Sequence, residues 1–418
     1  MLSSVLLIDS QDRHGCPVHN SPSPGHCQHL LKKTLRVKMS SHLPPNYTPA
    51  LLHRYLSHFN RDPFQLNVID HDAVGYATVE ERAARAKKYN EVASDYYDLV
   101  SPLYEQGWGQ RFHYTPIFPG KSIADSMTAY EHEFARIARL KLGMKVLDLG
   151  CGIGGPARTI TKAIGCKIIG ITNSAWHVER GTQLTKQAGL EGKVALIQGN
   201  FLKLPFEDES FDAAYSVESL CYAPNPAEVY REIKRILKPG APFTFHDFAM
   251  TKKFDENNTE HAKIRNWVEF GNGIVKMPWV PDMRRCVLSA GFELLAEEDM
   301  AYRSNGAPWY YGPAGDVSWA WRVPGWDDFF RVVKMSPLFL FIAKSIYRVL
   351  ILFGFAPPET LTLMDTMWYC CRSVAIGGKM GIFTPMYVFT CRKPSTANKR
   401  SGSAEQKQEQ EKVELKRA

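Results

Sequence analysis

Three observations along the chain predict an α/β fold built on a doubly wound, mostly parallel sheet of seven strands. From Lys145 onward, short β-rich runs alternate with helical ones, the pattern of strands joined by crossover helices. The first run leads straight into a glycine-rich turn, "GCGIGG", Gly150 to Gly155, where a strand hands over to a helix. Before the last run lies an aromatic and aliphatic insert from about Ala301 to Met380. Ordinary connections take a few residues, so an insert this long is expected to be functional.

The expected strands are "KVLDLG", "KIIGITN", "VALIQGN", "FDAAYSV", "PFTFHDF", "FELLAEED" and "MYVFTCR". Ahead of them, "TVEERAARAKKYNEVASDYYDLV" opens on a capping box, Thr78 with Glu81. Its Tyr89, Val92, Ala93, Tyr96 and Val100 share one helical face, read as a packing stripe. "YEQGWGQRFHY", Tyr104 to Tyr114, has no period of two or 3.6 and reads as a loop, and a helix from about Met127 to Arg139 follows. In the insert, "PLFLFIAKSIYRVLILFGF", Pro337 to Phe355, approaches the ~20 residues of a spanning helix. Lys344 and Arg348 interrupt it one turn apart. Two charges on one stripe suit a helix lying on a membrane surface or lining a lipid groove, and a buried helix with two snorkelling cations fits equally.

With 418 residues, 44% of them hydrophobic and 22% charged, the chain can bury a sizeable core as one domain with large insertions or as two domains. The net charge of +8 is spread along it, and the Lys-rich tail balances its lysines with glutamates, so the tail reads as solvated and disordered. The nine cysteines include no C-x-x-C, which points to a reducing compartment and away from a structural zinc site. Residues 1–38 lack the layout of a signal peptide, and Met39 begins a stretch that reads as a normal start. The expected divisions are a leader or disordered segment over 1–45, a helical segment over 46–126, the core over 127–300, the insert plus last strand over 301–394 and a disordered tail over 395–418.

"VLDLGCGIGGPAR" puts Asp148, Gly150, Gly152 and Gly154 at the end of the first strand and the start of a helix. Such a turn lets a ligand approach the backbone and offers helix N-terminal amides. The spacing also admits a dinucleotide. However, the second strand ends "GITN", with no acid where NAD-binding folds place their ribose ligand. Together with "QGNFLKLPF", "FDAAYSVESLCYAP" and "EIKRILKPGAPFTF", the ordered set resembles the S-adenosylmethionine-binding core of class I methyltransferases. The resemblance implies that Asp148 serves the methionyl and ribose side, that Gly150, Gly152 and Gly154 leave room, and that Thr172 and Asn173 meet the ribose. It places Gln198 and Asn200 beside the adenine and assigns Ser216 to the same site. No metal is chemically required, because a sulfonium methyl is already electrophilic.

The flanking segments are apolar and aromatic, with nothing like a basic groove for nucleic acid, so a hydrophobic acceptor is expected. "YEQGWGQRFHY", "DENNTEH", "PWYYGPAG" and "GGKMGIFTPMYVFTCRKP", added to the core markers, resemble the sterol 24-C-methyltransferases from about Tyr89 to Pro394. That resemblance implies methyl transfer to C24 of a sterol side chain with a 24(25) double bond. The alkene attacks, a hydride shifts and a proton leaves, giving a 24-methylene product. It makes 46–126 and the insert the sterol-binding parts. A membrane-dissolved acceptor and the apolar run over 337–355 together suggest peripheral attachment to the cytoplasmic face of the endoplasmic reticulum or another membrane, with a cytoplasmic location the alternative, and homo-oligomerisation stays open.

Such chemistry needs π faces near the cation and a base close by. Tyr104 and Trp108 offer faces. Glu105 offers a carboxylate, or packs as a partner of Arg111. Glu218 is a base, a ligand of the sterol 3-hydroxyl or a loop anchor. Asp247, beside His246, is a further candidate base. Here the chain departs from the family: Asp247 and Phe248 stand where relatives carry Glu and Trp, and Tyr222 where many carry His.

Overall fold

The computed structural model describes residues 49–60, 77–303, 307–320 and 325–395. The expected leader and charged tail lie outside these residues. All seven β-rich runs form strands: β1 (Lys145–Leu149), β2 (Lys167–Thr172), β3 (Val194–Gln198), β4 (Ala213–Val217), β5 (Pro242–Met250), β6 (Glu293–Asp299) and β7 (Phe383–Arg392). They make one sheet in the order β3-β2-β1-β4-β5-β7-β6. β1 to β5 run parallel, and β7 slots antiparallel between β5 and β6. The switch in strand order between β1 and β4 opens the crevice where ligands bind in sheets of this kind.

Among the described residues four helices precede the sheet: α1 (Pro49–Ser57), α2 (Val79–Lys87), α3 (Tyr89–Trp108) and α4 (Ile123–Ile137). The capping box forms at α2: Thr78 Oγ1 accepts from Glu81 N–H at 3.2 Å, and Glu81 accepts from Thr78 N–H at 2.8 Å. The expected single helix instead breaks at Lys88 and resumes as α3. α3 runs on through the first five residues of "YEQGWGQRFHY", read from sequence as a loop, until Gly109 at φ +86° ends it. Val92, Tyr96, Leu99 and Val100 on α3 pack with Leu52, Tyr55 and Leu56 of α1 and with Trp267 and Phe270.

Helices α5 (Gly155–Ile164), α6 (Ala175–Gln187), α7 (Pro226–Ile236), α8 (Thr259–Asn272) and α9 (Val280–Ser289) alternate with the strands. One core joins Tyr130 and Phe134 of α4 and Ala157 and Ile160 of α5 to Val146, Ile168 and Tyr215 of the sheet. The other joins Tyr230 and Ile233 of α7 and Val280 and Met283 of α9 to Leu147, Leu149 and Phe245. The insert contains α10 (Trp326–Lys334), α11 (Pro337–Leu352) and α12 (Glu359–Met380). It leaves from β6 and returns into neighbouring β7, where Thr384 Oγ1 donates to Asp299 Oδ1 at 2.7 Å. α12 crosses α8 so closely that a Cβ on Gly271 would overlap the Cys370 backbone.

On α11 the apolar face points outward. Leu338, Phe341, Ile342, Val349 and Leu352 are exposed, while Ala343 and Tyr347 are buried. Lys344 and Arg348 do not form the free cationic stripe that their spacing suggested. Lys344 turns inward to Asp365 of α12, at 2.7 and 2.8 Å, and Arg348 stays exposed. Among the described residues no single helix is long and apolar enough to cross a membrane, and the pair α10–α11, long enough together, is bent by 69°.

Candidate active site

The end of β1 delivers Asp148 into the glycine turn, where Gly150, Gly152 and Gly154 all adopt left-handed φ, +73°, +51° and +75°. A Cβ at Gly150 would overlap the Ser219 side chain, and one at Gly155 would overlap the Gln110 carbonyl oxygen. The loop after β4 and the arm after α3 therefore both close on this turn. Between them lies a cleft of about 930 Å³ lined by Asp148, Gly150, Gly152, Thr172, Asn173 and Asn200 among others. Asp148 is buried and accepts from the Tyr215 hydroxyl at 2.9 Å, and burial pushes its pKa to about 7.

Three of the residues expected around the cofactor lie outside this lining. Gly154 is the N-cap of α5. Ser216 lies beneath the turn, its Oγ 2.7 Å from that of Ser219, which donates to Leu149 O at 2.6 Å. Gln198 is exposed, its amide donating to Asn173 O at 3.0 Å.

A second chamber, of about 630 Å³, opens beside the first. Its walls are rings from four parts of the chain: Tyr96, Tyr97 and Tyr104 of α3, Phe112 and Tyr114 of the arm, Tyr222 after β4, and Phe248 of β5. Cys370 and Cys371 of α12 close it on the insert side. Tyr97, Phe112, His113, Glu218 and Tyr222 line both spaces. A donor in the cleft and an acceptor in the chamber would meet across those five residues.

A methyltransferase domain model matches residues 147–245, and a sterol methyltransferase C-terminal model matches 330–395. The sterol 24-C-methyltransferase of Gibberella zeae is 36% identical over 83% of this chain and 87% of its own. Those of Saccharomyces cerevisiae and Aspergillus fumigatus are 36% and 38% identical, over 78% and 76% of this chain and 84% and 83% of theirs. The chain belongs to the sterol 24-C-methyltransferase family. Among solved structures, the cyclopropane synthase MmaA2 of Mycobacterium tuberculosis aligns with TM-score 0.55 at 14% identity, covering 73% of this chain and 98% of that one. The [4+2]-cyclase SpnF aligns at 0.51 and 21%, covering 72% and 95%. Both likenesses are of fold, the class I methyltransferase fold.

In this sterol methyltransferase the candidate carboxylates separate by environment. Glu218, at left-handed φ +51°, is buried yet faces both cavities. It accepts from Tyr114 N–H at 2.6 Å and stands 3.3 Å from His246 Nε2, and burial raises its pKa to about 8. Asp247 reaches neither cavity. Its oxygens accept from the backbone N–H groups of Cys221 and Phe248, at 2.8 and 2.9 Å. Glu105 lies outside both linings as well, ion-paired to Arg180 of α6 at 2.5 Å rather than to Arg111, because α3 turns it toward α6. Arg111 instead meets Thr128 and Glu131 of α4. Tyr104 lines the chamber, and the side chain of Trp108 lies outside the described residues.

His246 cannot act as the base. Its Nε2–H donates to Pro385 O at 2.8 Å, its Nδ1 accepts from Tyr130 at 2.8 Å, and burial lowers its pKa to about 3. Sequence reasoning missed Tyr97, His113 and His177. His113 bridges Tyr114 O at 2.8 Å and Glu131 at 3.0 Å. Burial opposes its charge, but the Glu131 carboxylate outweighs burial and raises its pKa. His177, between Thr172 and Ser101 at 3.1 and 2.7 Å, is held neutral by burial, its pKa near 4. Only the position of His113 inside a quoted motif could have flagged it.

Proposed function

We infer that the protein transfers the methyl group of S-adenosylmethionine to C24 of a sterol side chain carrying a 24(25) double bond, giving a 24-methylene sterol. The observation that carries this reading is the shared wall: a glycine-cradled cleft and a ring-lined chamber separated by five side chains. The residues of the cleft fit the donor. Gly150 and Gly152 line the cleft with no side chain of their own, and the buried carboxyl of Asp148 would be favoured in its charged form by a cationic ligand. When bound, the donor supplies a methyl already activated by its sulfonium.

This chain's residues supply alignment, desolvation and a proton acceptor. A neutral alkene is a weak nucleophile, so holding the side chain in line with the methyl is the main contribution. Tyr97, Tyr104, Phe112, Tyr114, Tyr222 and Phe248 line the space it would fill, where its apolar surface would displace water. Ring faces stabilise a transient cation by roughly 0.5–2 kcal/mol each without trapping it. Among the titratable side chains that line both spaces, the phenols of Tyr97 and Tyr222 keep their protons, each donating one, and His113 is already committed to Glu131, which leaves Glu218 to take the departing proton.

The acceptor is membrane-dissolved, and we assign α10 and α11 to peripheral contact with a lipid surface on the cytoplasmic side. Supporting this are the exposed Trp326, Phe330, Leu338, Phe341 and Leu352. Burying one such side chain is worth roughly 1.5–3 kcal/mol. Methyl-labelled donor incubated with cycloartenol, lanosterol, zymosterol and desmosterol, followed by mass spectrometry, tests the activity. Label should enter sterols with a 24(25) alkene and no saturated analogue, and an unlabelled panel with donor binding intact would refute it.

A further inference from the structure

We propose that Tyr222 is a specificity-determining residue of the shared wall, and that Asp247 is the positioning residue that sets it there. The proposal rests on the reading of the site as a sterol C24-methyltransferase centre. It adds which residues decide where the proton is lost.

Reacting atoms in a productive complex stand about 3–3.5 Å apart, so methyl transfer takes place along the strip common to cleft and chamber. Two of the five residues there are phenols joined in one hydrogen-bonded chain. Tyr97 donates to the Tyr222 oxygen at 3.0 Å, and Tyr222 donates to the Asn272 carbonyl at 2.9 Å. Their ring centroids lie 5.4 Å apart at 55°. Asn272 ends α8, with its own amide donating to Val268 O at 2.8 Å. The Tyr222 ring is thus fixed from outside by α3 and α8, and both phenol protons are engaged.

Its backbone is fixed from beneath. Tyr222 ends a single 3₁₀ turn, Leu220–Tyr222, and the N–H of Cys221 in that turn donates to Asp247. The other oxygen of Asp247 holds the N–H of Phe248, whose ring also lines the chamber. One fully buried carboxyl group therefore sets two chamber rings. This gives Asp247, a residue of β5 itself, a task other than the proton transfer expected of it beside His246.

The consequence lies in the last bond change. The C24–C25 π pair forms the new C24–CH₃ bond as the donor's carbon–sulfur bond breaks, and charge is left at C25. A hydride shift from C24 followed by loss of a proton from the added methyl gives the 24-methylene product. Direct loss from a terminal methyl gives a 25-alkene. In either case one C–H pair becomes the new double bond and the proton passes to the Glu218 carboxylate. Which C–H faces Glu218 is set by the surface on which the side chain rests, and Tyr222 and Glu218 share that surface.

Product ratios by mass spectrometry with labelled donor, together with donor affinity by calorimetry, test this in the full-length protein. Tyr222→Leu should raise the 25-alkene share at least about fivefold and lower kcat about tenfold, with donor Kd within about threefold. Tyr97→Phe and Asp247→Asn should shift the ratio in the same direction by less. Tyr97→Phe preserves the ring and its packing, so it decides the matter if the Leu variant fails to fold. Wild-type ratios in Tyr97→Phe together with either other variant would overturn the proposal. A wild-type protein that labels no sterol would sink the underlying reading as well.

Discussion

Tyr114 donates its backbone N–H to Glu218 at 2.6 Å, which ties the aromatic arm to the sheet at a carboxyl group open to both cavities. If that group takes the proton, Glu218→Gln should lower turnover by about 10²–10⁴ while donor affinity changes little. Single-turnover rates beside a binding isotherm check this, and near wild-type turnover would remove Glu218 from the base role.

The same carboxyl group predicts a pH profile. It must be ionised to accept a proton, and burial places its pKa near 8 in the unliganded protein. The quotient kcat/KM should therefore climb from pH 6.5 and level off above about 8. A profile flat across that range contradicts the assignment.

Stability should move the opposite way. Burial raises Asp148 and Asp247 to about 7 and Glu218 to about 8, whereas in the unfolded chain carboxyl groups ionise near pH 4. Between those limits the folded state holds more protons, so stability falls as pH rises. His177 and His246, lowered to about 4 and about 3, oppose this only up to the ordinary histidine range near 6.5. The net loss is therefore expected between pH 6.5 and 8, seen as a falling Tm of the unliganded protein. A constant or rising Tm there would mean that the three carboxyl groups titrate normally.

Gly155→Ala should cost about 1–3 kcal/mol through overpacking and weaken donor binding, because its Cβ would meet the Gln110 carbonyl, a backbone atom that cannot rotate aside. Glu105→Gln is the contrasting case. Its partly exposed pair with Arg180 is worth about 1 kcal/mol or less, and turnover should stay within about threefold. Thermal melts and initial rates separate the two.

Phe341→Glu and Leu338→Glu lie on exposed positions of α11, so they should leave Tm and activity on detergent-dispersed sterol unchanged while abolishing co-sedimentation with phospholipid vesicles. Undiminished co-sedimentation would place membrane contact elsewhere.

The strands and the glycine turn were legible because each is written in a run of neighbours: a β-rich stretch, a helix periodicity, a Thr78–Glu81 spacing. What escaped was set across long separations. Nothing local shows that β7 inserts antiparallel between β5 and β6, that Glu105 pairs with a residue 75 positions on, or that Lys344 turns to Asp365. The candidate site divides the same way. Asp148 and Gly150 follow from a local turn, whereas the tasks of Asp247 and Tyr97 depend on Cys221 and Tyr222, brought near by the sheet and by α3.

The insert leaves and re-enters through adjacent strands pinned by the Asp299–Thr384 bond. Its two ends are fixed by the sheet whatever lies between them, and lengthening a closed loop twofold costs only about 0.6 kcal/mol. Its outward helices α10 and α11 are in effect an exchangeable cassette, whereas α12 is held on α8. Cys370 and Cys371, the insert's wall of the ring-lined chamber, could give way to bulkier or slimmer side chains while the strands that carry the glycine turn stay as they are.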